Sequence, residues 1–222
     1  MSGKYHLPKA TSAVSSYHLV VTPVSADWAT DFEYLPPESE ALISSAQGGL
    51  FALPSARTER SSLSARYGPK EDVPVELRGA GACSRQVNNS CLPGTFEAEQ
   101  PLVCEVLTPG GNWSSYPPHK HDEARPGVEP ELEEIHCFQV YGSPERPIDV
   151  LAEIRSGDTV PIPHGWHGPS IAAPGYDLYH LDVMAGPGQD RARLICDDPA
   201  HGWVRATWAS QDVDDRPPFG EN

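Results

Sequence analysis

Two stretches decide how this chain is read: Pro118-His119-Lys120-His121 and, further on, Gly157-Asp158-Thr159-Val160-Pro161-Ile162-Pro163-His164-Gly165-Trp166-His167. Successive side chains on an extended strand point to opposite faces, so His119 and His121 share a face while Lys120 points away. The second stretch sets a third imidazole, His167, just past a tight Pro-x-Gly turn. Between them Leu132-Glu133-Glu134-Ile135 can supply a carboxylate. Three nitrogens and one oxygen make a candidate metal site. A His-x-His pair alone is weak evidence, because such pairs are common on exposed strands; the second element in the right order carries the weight. Alternation allows only one of Glu133 and Glu134 to reach inward and does not choose between them. Glu133 would share a face with Ile135 and Cys137, Glu134 with His136 and Phe138, and both faces are apolar enough to be buried. His164 sits in the turn itself and reads as a surface residue, and His6, His18 and His201 are isolated. The donor set suits zinc, manganese, iron or nickel, with zinc or manganese first. Magnesium and calcium, which want oxygen ligands, are disfavoured.

The surrounding chain reads as strands. With 24 prolines and 19 glycines in 222 residues, turns are frequent, yet the total stays below the roughly 25–30% of low-complexity chains. Short runs rich in β-branched and aromatic residues fall at 17–21, 74–77, 102–107, 135–140, 150–154 and 179–183. The one stretch with helical spacing, 38–45, is short and follows Pro36-Pro37. An all-β barrel or sandwich is the expected class. The two histidine elements, in this order after a strand, resemble the pattern of the cupin superfamily, a small jelly-roll barrel. A Ser/Arg-rich stretch at 57–67 reads as a linker or long loop. The expected organisation is therefore a shortened N-terminal cupin-like domain over 1–70, a metal-binding cupin domain over 71–209, and a disordered tail over 210–222. Asn88-Asn89-Ser90 and Asn112-Trp113-Ser114 match the glycosylation triplet but read as turns.

Charge and cysteines narrow the class further. The formal charge of −15 would repel phosphate backbones and anionic membranes over most of the surface, so neither nucleic acid nor membrane is expected as a partner. An anionic substrate would then need a local positive site, a metal or a few arginines. Cys83, Cys91, Cys104, Cys137 and Cys196 are odd in number and contain no C-x-x-C pair, which suggests reduced thiols and a cytoplasmic setting. The amino terminus lacks an apolar signal core, and no run of about 18 apolar residues occurs. Cupin barrels often associate through sheet edges, so a homo-oligomer is expected.

From Gly110-Gly111-Asn112-Trp113-Ser114-Ser115-Tyr116-Pro117-Pro118 through His119-Lys120-His121-Asp122, the chain resembles the 5-deoxy-glucuronate isomerase family of myo-inositol catabolism, related to the ketol-isomerases of uronate breakdown. The resemblance continues in Cys83-Ser84-Arg85-Gln86-Val87-Asn88-Asn89, Leu132-Glu133-Glu134-Ile135, Ala172-Ala173-Pro174-Gly175-Tyr176-Asp177-Leu178-Tyr179 and Val183-Met184-Ala185-Gly186-Pro187, covering most of 74–205. It implies metal ligands at His119, His121, Glu133 and His167. It also implies a bicupin with metal only in the second barrel. Here the pattern departs: the first barrel is incomplete, with three or four strands between Trp28 and Leu77, and the hairpin at 141–147 is shortened. His136 and Cys137 stand where the family has aromatic residues, and Asp182 where it has an amide.

The implied reaction is an aldose-to-ketose conversion of a sugar acid, 5-deoxy-D-glucuronate to 5-deoxy-D-fructuronate. A divalent cation would stabilise negative charge building on oxygen, and a positioned base would carry the proton from C2 to C1. Glu134 and His180 lead the candidates for that base, with Tyr179 and Asp182 beside them. Arg85 is the preferred clamp for the substrate carboxylate, with Lys120 second. The rival readings are a catalytically impaired cupin that binds a metal or a sugar acid, and a metal-dependent cupin dioxygenase.

Overall fold

A computed structural model of the protein describes residues 2–6, 16–23, 30–37, 39–44, 50–58, 62–141, 154–188 and 191–219. The expected all-β class holds: strands dominate, and the single α-helix among the described residues is the five-residue Trp203–Thr207. No helix is long and apolar enough to cross a membrane.

A six-stranded antiparallel sheet organises the C-terminal part. Its strands are β1 (Val75–Arg78), β2 (Arg85–Cys91), β3 (Leu102–Thr108), β4 (Glu133–Tyr141), β5 (Thr159–Ile162) and β6 (Asp177–Ala185). Their order across the sheet is β5-β4-β6-β3-β2-β1. Register fixes what each face carries. Glu134 lies opposite Met184, His136 opposite Asp182 and Phe138 opposite His180, and on the other side of β6 Cys104 and Val106 face Asp182 and His180. These residues share the face over which three short ladders lie: Trp113–Ser114 with Ser170–Ile171, His119–Lys120 with Cys196–Asp197, and Asp122–Arg125 with Glu129–Glu131. The result is a cupin-like enclosure with the histidine motif on its covering layer.

The alternate residues of β3 and β6 point the other way. Val103, Leu107, Tyr179, Leu181 and Val183 pack there with Phe32 and Tyr34. Those aromatics belong to the strand Phe32–Leu35 of a second, five-stranded sheet that also contains Ser16–Pro23, Phe51–Ala52, Ser55–Thr58 and Arg66–Gly68. The stretch with helical spacing is instead the strand Glu40–Ser44, paired with Ser2–His6, and both ends of the Ser/Arg-rich stretch join strands. Residues 142–147 of the expected hairpin and 150–153 of the expected strand lie outside the described residues.

Two further expectations need correction. Asn88-Asn89-Ser90 is not a turn but part of β2. Its polar composition is explained by a buried layer in which Gln86 Nε2 donates to Asn88 Oδ1 at 2.8 Å and Asn88 Nδ2 to Glu105 Oε2 at 3.2 Å. Thr30 and the Tyr179 hydroxyl complete the set on Glu105 Oε1 at 2.9 and 3.1 Å, so every partner of that buried acid is itself buried. The segment from residue 210 is not a frayed tail as far as Phe219. Gly81 N donates to Asp212 O at 2.8 Å, Asp214 N to Ser84 Oγ at 2.9 Å, and Phe219 N to Gln86 Oε1 at 2.7 Å. The few apolar groups in this segment mislead because these hydrogen bonds hold it and Phe219 packs against the main core.

Candidate metal centre

His119 and His167 are locked together by their backbones, each N–H donating to the other's carbonyl at 2.9 Å. Alternation places His119 and His121 inward, at 9% and 3% exposure. On β4 it places Glu134 inward at 3% and leaves Glu133 exposed. His121 Nε2 stands 2.9 Å and His167 Nε2 2.7 Å from Glu134 Oε2. His167 Nε2 lies off any hydrogen-bond line despite that closeness and has no hydrogen-bond partner. Two ligating atoms aimed at one point rather than at each other give this geometry. His121, Glu134 and His167 thus form a group able to hold a metal ion. His119 stands against it, its ring centroid 4.7 Å from that of His167.

The tautomers agree. His119 Nδ1 lies 3.2 Å from Pro117 O, His121 Nδ1 3.4 Å from Leu132 O and His167 Nδ1 2.9 Å from Gly165 O. A carbonyl only accepts, so each Nδ1 carries the proton, the usual support of metal-bound imidazoles; His121 Nε2 is in hydrogen-bond contact with Glu134 Oε2 at 2.9 Å, a place a shared cation would take over. Burial, reinforced by His167, pushes the His119 pKa down to about 3, keeping that ring neutral. Burial works to raise the Glu134 pKa, but Asp182, His136 and His121 hold the carboxyl well below the usual range. The donor set and its second layer therefore fit a divalent cation.

The carboxylate of this group is Glu134, which corrects the placement at Glu133. Pairing of Glu133 with Ala185 turns its side chain to solvent, and no turn of the backbone at that position reverses it. Glu134 is in consequence committed to the cluster rather than free as a base. Its second oxygen, Oε1, accepts from His136 Nε2 at 2.9 Å, and His136 Nε2 lies 3.5 Å from Asp182 Oδ1.

A small cavity of about 20 Å³ opens over the cluster, lined among others by His119, His121, Glu134, Asp182, Arg78, Arg85, Arg193 and Arg205. Arg85 is in its wall. Lys120 is not: its ammonium points outward to Asp122 at 2.7 Å, Glu123 at 2.9 Å and Glu129 at 3.5 Å, the alternation that turns both histidines inward turning it away. His180 does not line the cavity either. It is fully buried behind His136, ring centroids 4.8 Å apart, and neither ring nitrogen has a hydrogen-bond partner. Tyr179 is on the opposite face, bonded to Glu105. Asp182 does face the cavity, and its Oδ1 has no hydrogen-bond partner. His164 is a surface turn residue, its side chain 77% exposed. Nothing in the sequence flags Arg78, Arg193 or Arg205, which come from an edge strand, an irregular segment and the short helix. The alternation Arg191-Ala192-Arg193 after β6 is the nearest thing to a signal.

Comparison with known proteins places this geometry in context. Residues 25–204 match the KduI/IolB family. A protein of Geobacillus thermodenitrificans named 5-deoxy-glucuronate isomerase is 43% identical over 155 residues, 65% of this chain and 55% of that one. One of the same name from Bacillus velezensis is 36% identical over 185 residues, 79% of this chain and 67% of the relative. The chain thus spans a little over half to two thirds of the length of the curated relatives it matches. The crystal structure of an IolB-like protein from Salmonella typhimurium superposes with a TM-score of 0.75 at 26% identity, covering 91% of this chain and 88% of that one.

Proposed function

The chain belongs to the KduI/IolB family, and from that premise we propose that it is a metal-dependent aldose–ketose isomerase acting on a sugar acid, 5-deoxy-D-glucuronate to 5-deoxy-D-fructuronate. The observation that carries the reading is the convergence of His121 Nε2 and His167 Nε2 on Glu134 Oε2 beneath a cavity walled by arginines. The names of its relatives supply the substrate class.

His121, His167 and Glu134, with His119 as fourth ligand, would hold the cation, zinc or manganese first on the nature of the donors. A divalent ion there supplies Lewis acidity toward the carbonyl and adjacent hydroxyl oxygens, where negative charge builds as C2 loses its proton. The protein does the rest. Arg85 takes the substrate carboxylate and so fixes which end of the sugar approaches the cluster. Asp182 is the proton carrier: of the four candidates it alone lines the cavity while standing outside the His121–Glu134–His167 group, with His136 Nε2 3.5 Å from its Oδ1. Burial and then the neighbouring Glu134 carboxylate raise its pKa, the direction that suits a group that both takes and returns a proton. Leu194 and Met184 give the wall an apolar stretch that limits water.

Incubation of the purified chain with 5-deoxy-D-glucuronate in deuterated water, alongside metal analysis, tests the reading. Ketose carrying solvent deuterium at C1, with about one metal per chain, is the expected result. Asp182→Asn should slow that exchange by ~10²–10⁴-fold while leaving the metal in place. One second reading is a sugar-acid-binding cupin without turnover, and bound metal with no exchange would establish that instead. Oxygen consumption would point to the dioxygenase.

A further inference from the structure

Four arginines line the cavity, and their partners differ. Arg78 is held by Glu76, Nε to Oε1 at 2.8 Å and Nη2 to Oε2 at 2.6 Å. Arg205 is held by Asp197 through both Nε and Nη2. Each of these charges is already balanced. Arg85 is buried at 4% exposure, yet its only hydrogen bond among the described residues is from Nη1 to Cys83 O at 3.0 Å. Arg193, partly buried on the irregular segment after β6, donates from Nη1 to Asn89 Oδ1 at 2.9 Å and places Nη2 3.3 Å from Cys104 Sγ. No carboxylate lies within ion-pair distance of either among the described residues. A guanidinium has five N–H donors in a planar fork, so most of the capacity of both groups is unspent.

Burying a cation without a counter-ion is unfavourable, and a fold retains the arrangement where something else supplies the anion. The Arg85 pKa reports the same imbalance: burial first, then the Arg78 and Arg205 guanidinium groups, push it down to about 9. Arg193 feels the Asp182, Glu76 and Glu134 carboxylates at longer range, but neither guanidinium is ion-paired among the described residues, and in a chain of net charge −15 the two in one cavity wall are the local positive site an anionic ligand would need.

We propose that Arg85 and Arg193 together form a two-guanidinium seat for the carboxylate of the ligand, and that Arg193 sets the preference of the cavity for acidic over neutral sugars. This rests on the sugar-acid reading above and adds to it a second arm and a selectivity. Arg193 is held in place by Asn89 of β2 and Cys104 of β3, so the seat is built on the sheet although the residue itself lies outside it.

Calorimetric titration of the full-length chain with D-glucuronate and with D-glucose tests the seat in wild type, Arg193→Gln, Arg193→Lys and Arg85→Gln. The expected result is a preference for glucuronate of about 10-fold or more in the wild type, as one charge-assisted contact would give, lost in Arg193→Gln and partly kept in Arg193→Lys. Unchanged metal content and melting temperature identify a folded variant; should Arg85→Gln not fold, the two Arg193 variants decide. Equal binding of both sugars by the wild type, no binding of glucuronate, or full preference in Arg193→Gln overturns the proposal. Arginine-dependent glucuronate binding without isomerisation would leave the seat standing and remove the isomerase. Turnover with the preference intact in Arg193→Gln would do the reverse.

Discussion

Glu134 is the residue on which the site turns, and it is separated from an exposed neighbour of the same type by one peptide unit. Glu134→Gln should weaken metal binding by more than the ~10–100-fold typical of losing an outer partner, whereas Glu133→Gln should leave it unchanged, both read by metal titration of the purified protein. The sequence shows three of the four candidate ligands plainly, because His119, His121 and His167 are placed by alternation and a turn. It cannot choose the carboxylate, since Ile135 and Cys137 on one face are as apolar as Phe138 on the other; only the register of β4 against β6 decides. His136 yields a second expectation at this scale. Burial acts to lower its pKa, but Glu134 and Asp182 outweigh that and raise it to about 10 from an ordinary 6.5. A raised pKa stabilises fully below the unfolded value and the contribution is lost as pH climbs through the folded one. Metal-free protein should therefore melt at progressively lower temperature from about pH 6.5 to about pH 10, and His136→Phe should flatten that slope in thermal denaturation.

At the scale of elements, the turn that delivers His167 has little room for change. Gly168 has φ +119°, and a Cβ there would lie 2.5 Å from Ser115 O and 2.8 Å from His119 Cε1. Gly168→Ala should thus displace the His119 ring, lowering both metal affinity and melting temperature. A variant that bound metal as the wild type does would mean that His119 takes no part in holding it. The strands at 102–107, 135–140 and 179–183 are readable as short runs rich in aliphatic and aromatic residues, of which Val103, Leu107, Tyr179, Leu181 and Val183 pack toward the second sheet while Ile135 stays 43% exposed. Strand β2 was not, because Gln86 and Asn88 look like loop residues until Glu105 is seen opposite them. Periodicity reports burial by apolar side chains, and a hydrogen-bonded polar layer is invisible to it.

For the molecule as a whole, the two sheets share one core. Phe32, 4% exposed, reaches from the smaller sheet to an edge-on contact with Phe96 at 4.7 Å and packs with the outward residues of β3 and β6. Phe32→Ala should cost ~3–5 kcal/mol of unfolding free energy in denaturant titrations, although it touches no candidate ligand. A reading of motifs alone would have treated the N-terminal part as dispensable. Strand β3 shows why it is not: Cys104 and Val106 form the floor of the cavity side, while Val103, Glu105 and Leu107 on the same strand answer to Phe32, Thr30 and Tyr34. Anyone wishing to trim the protein to its histidine-bearing portion would bare a row of large apolar side chains and orphan a buried acid in one cut. The workshop and its rear wall are made from the same planks.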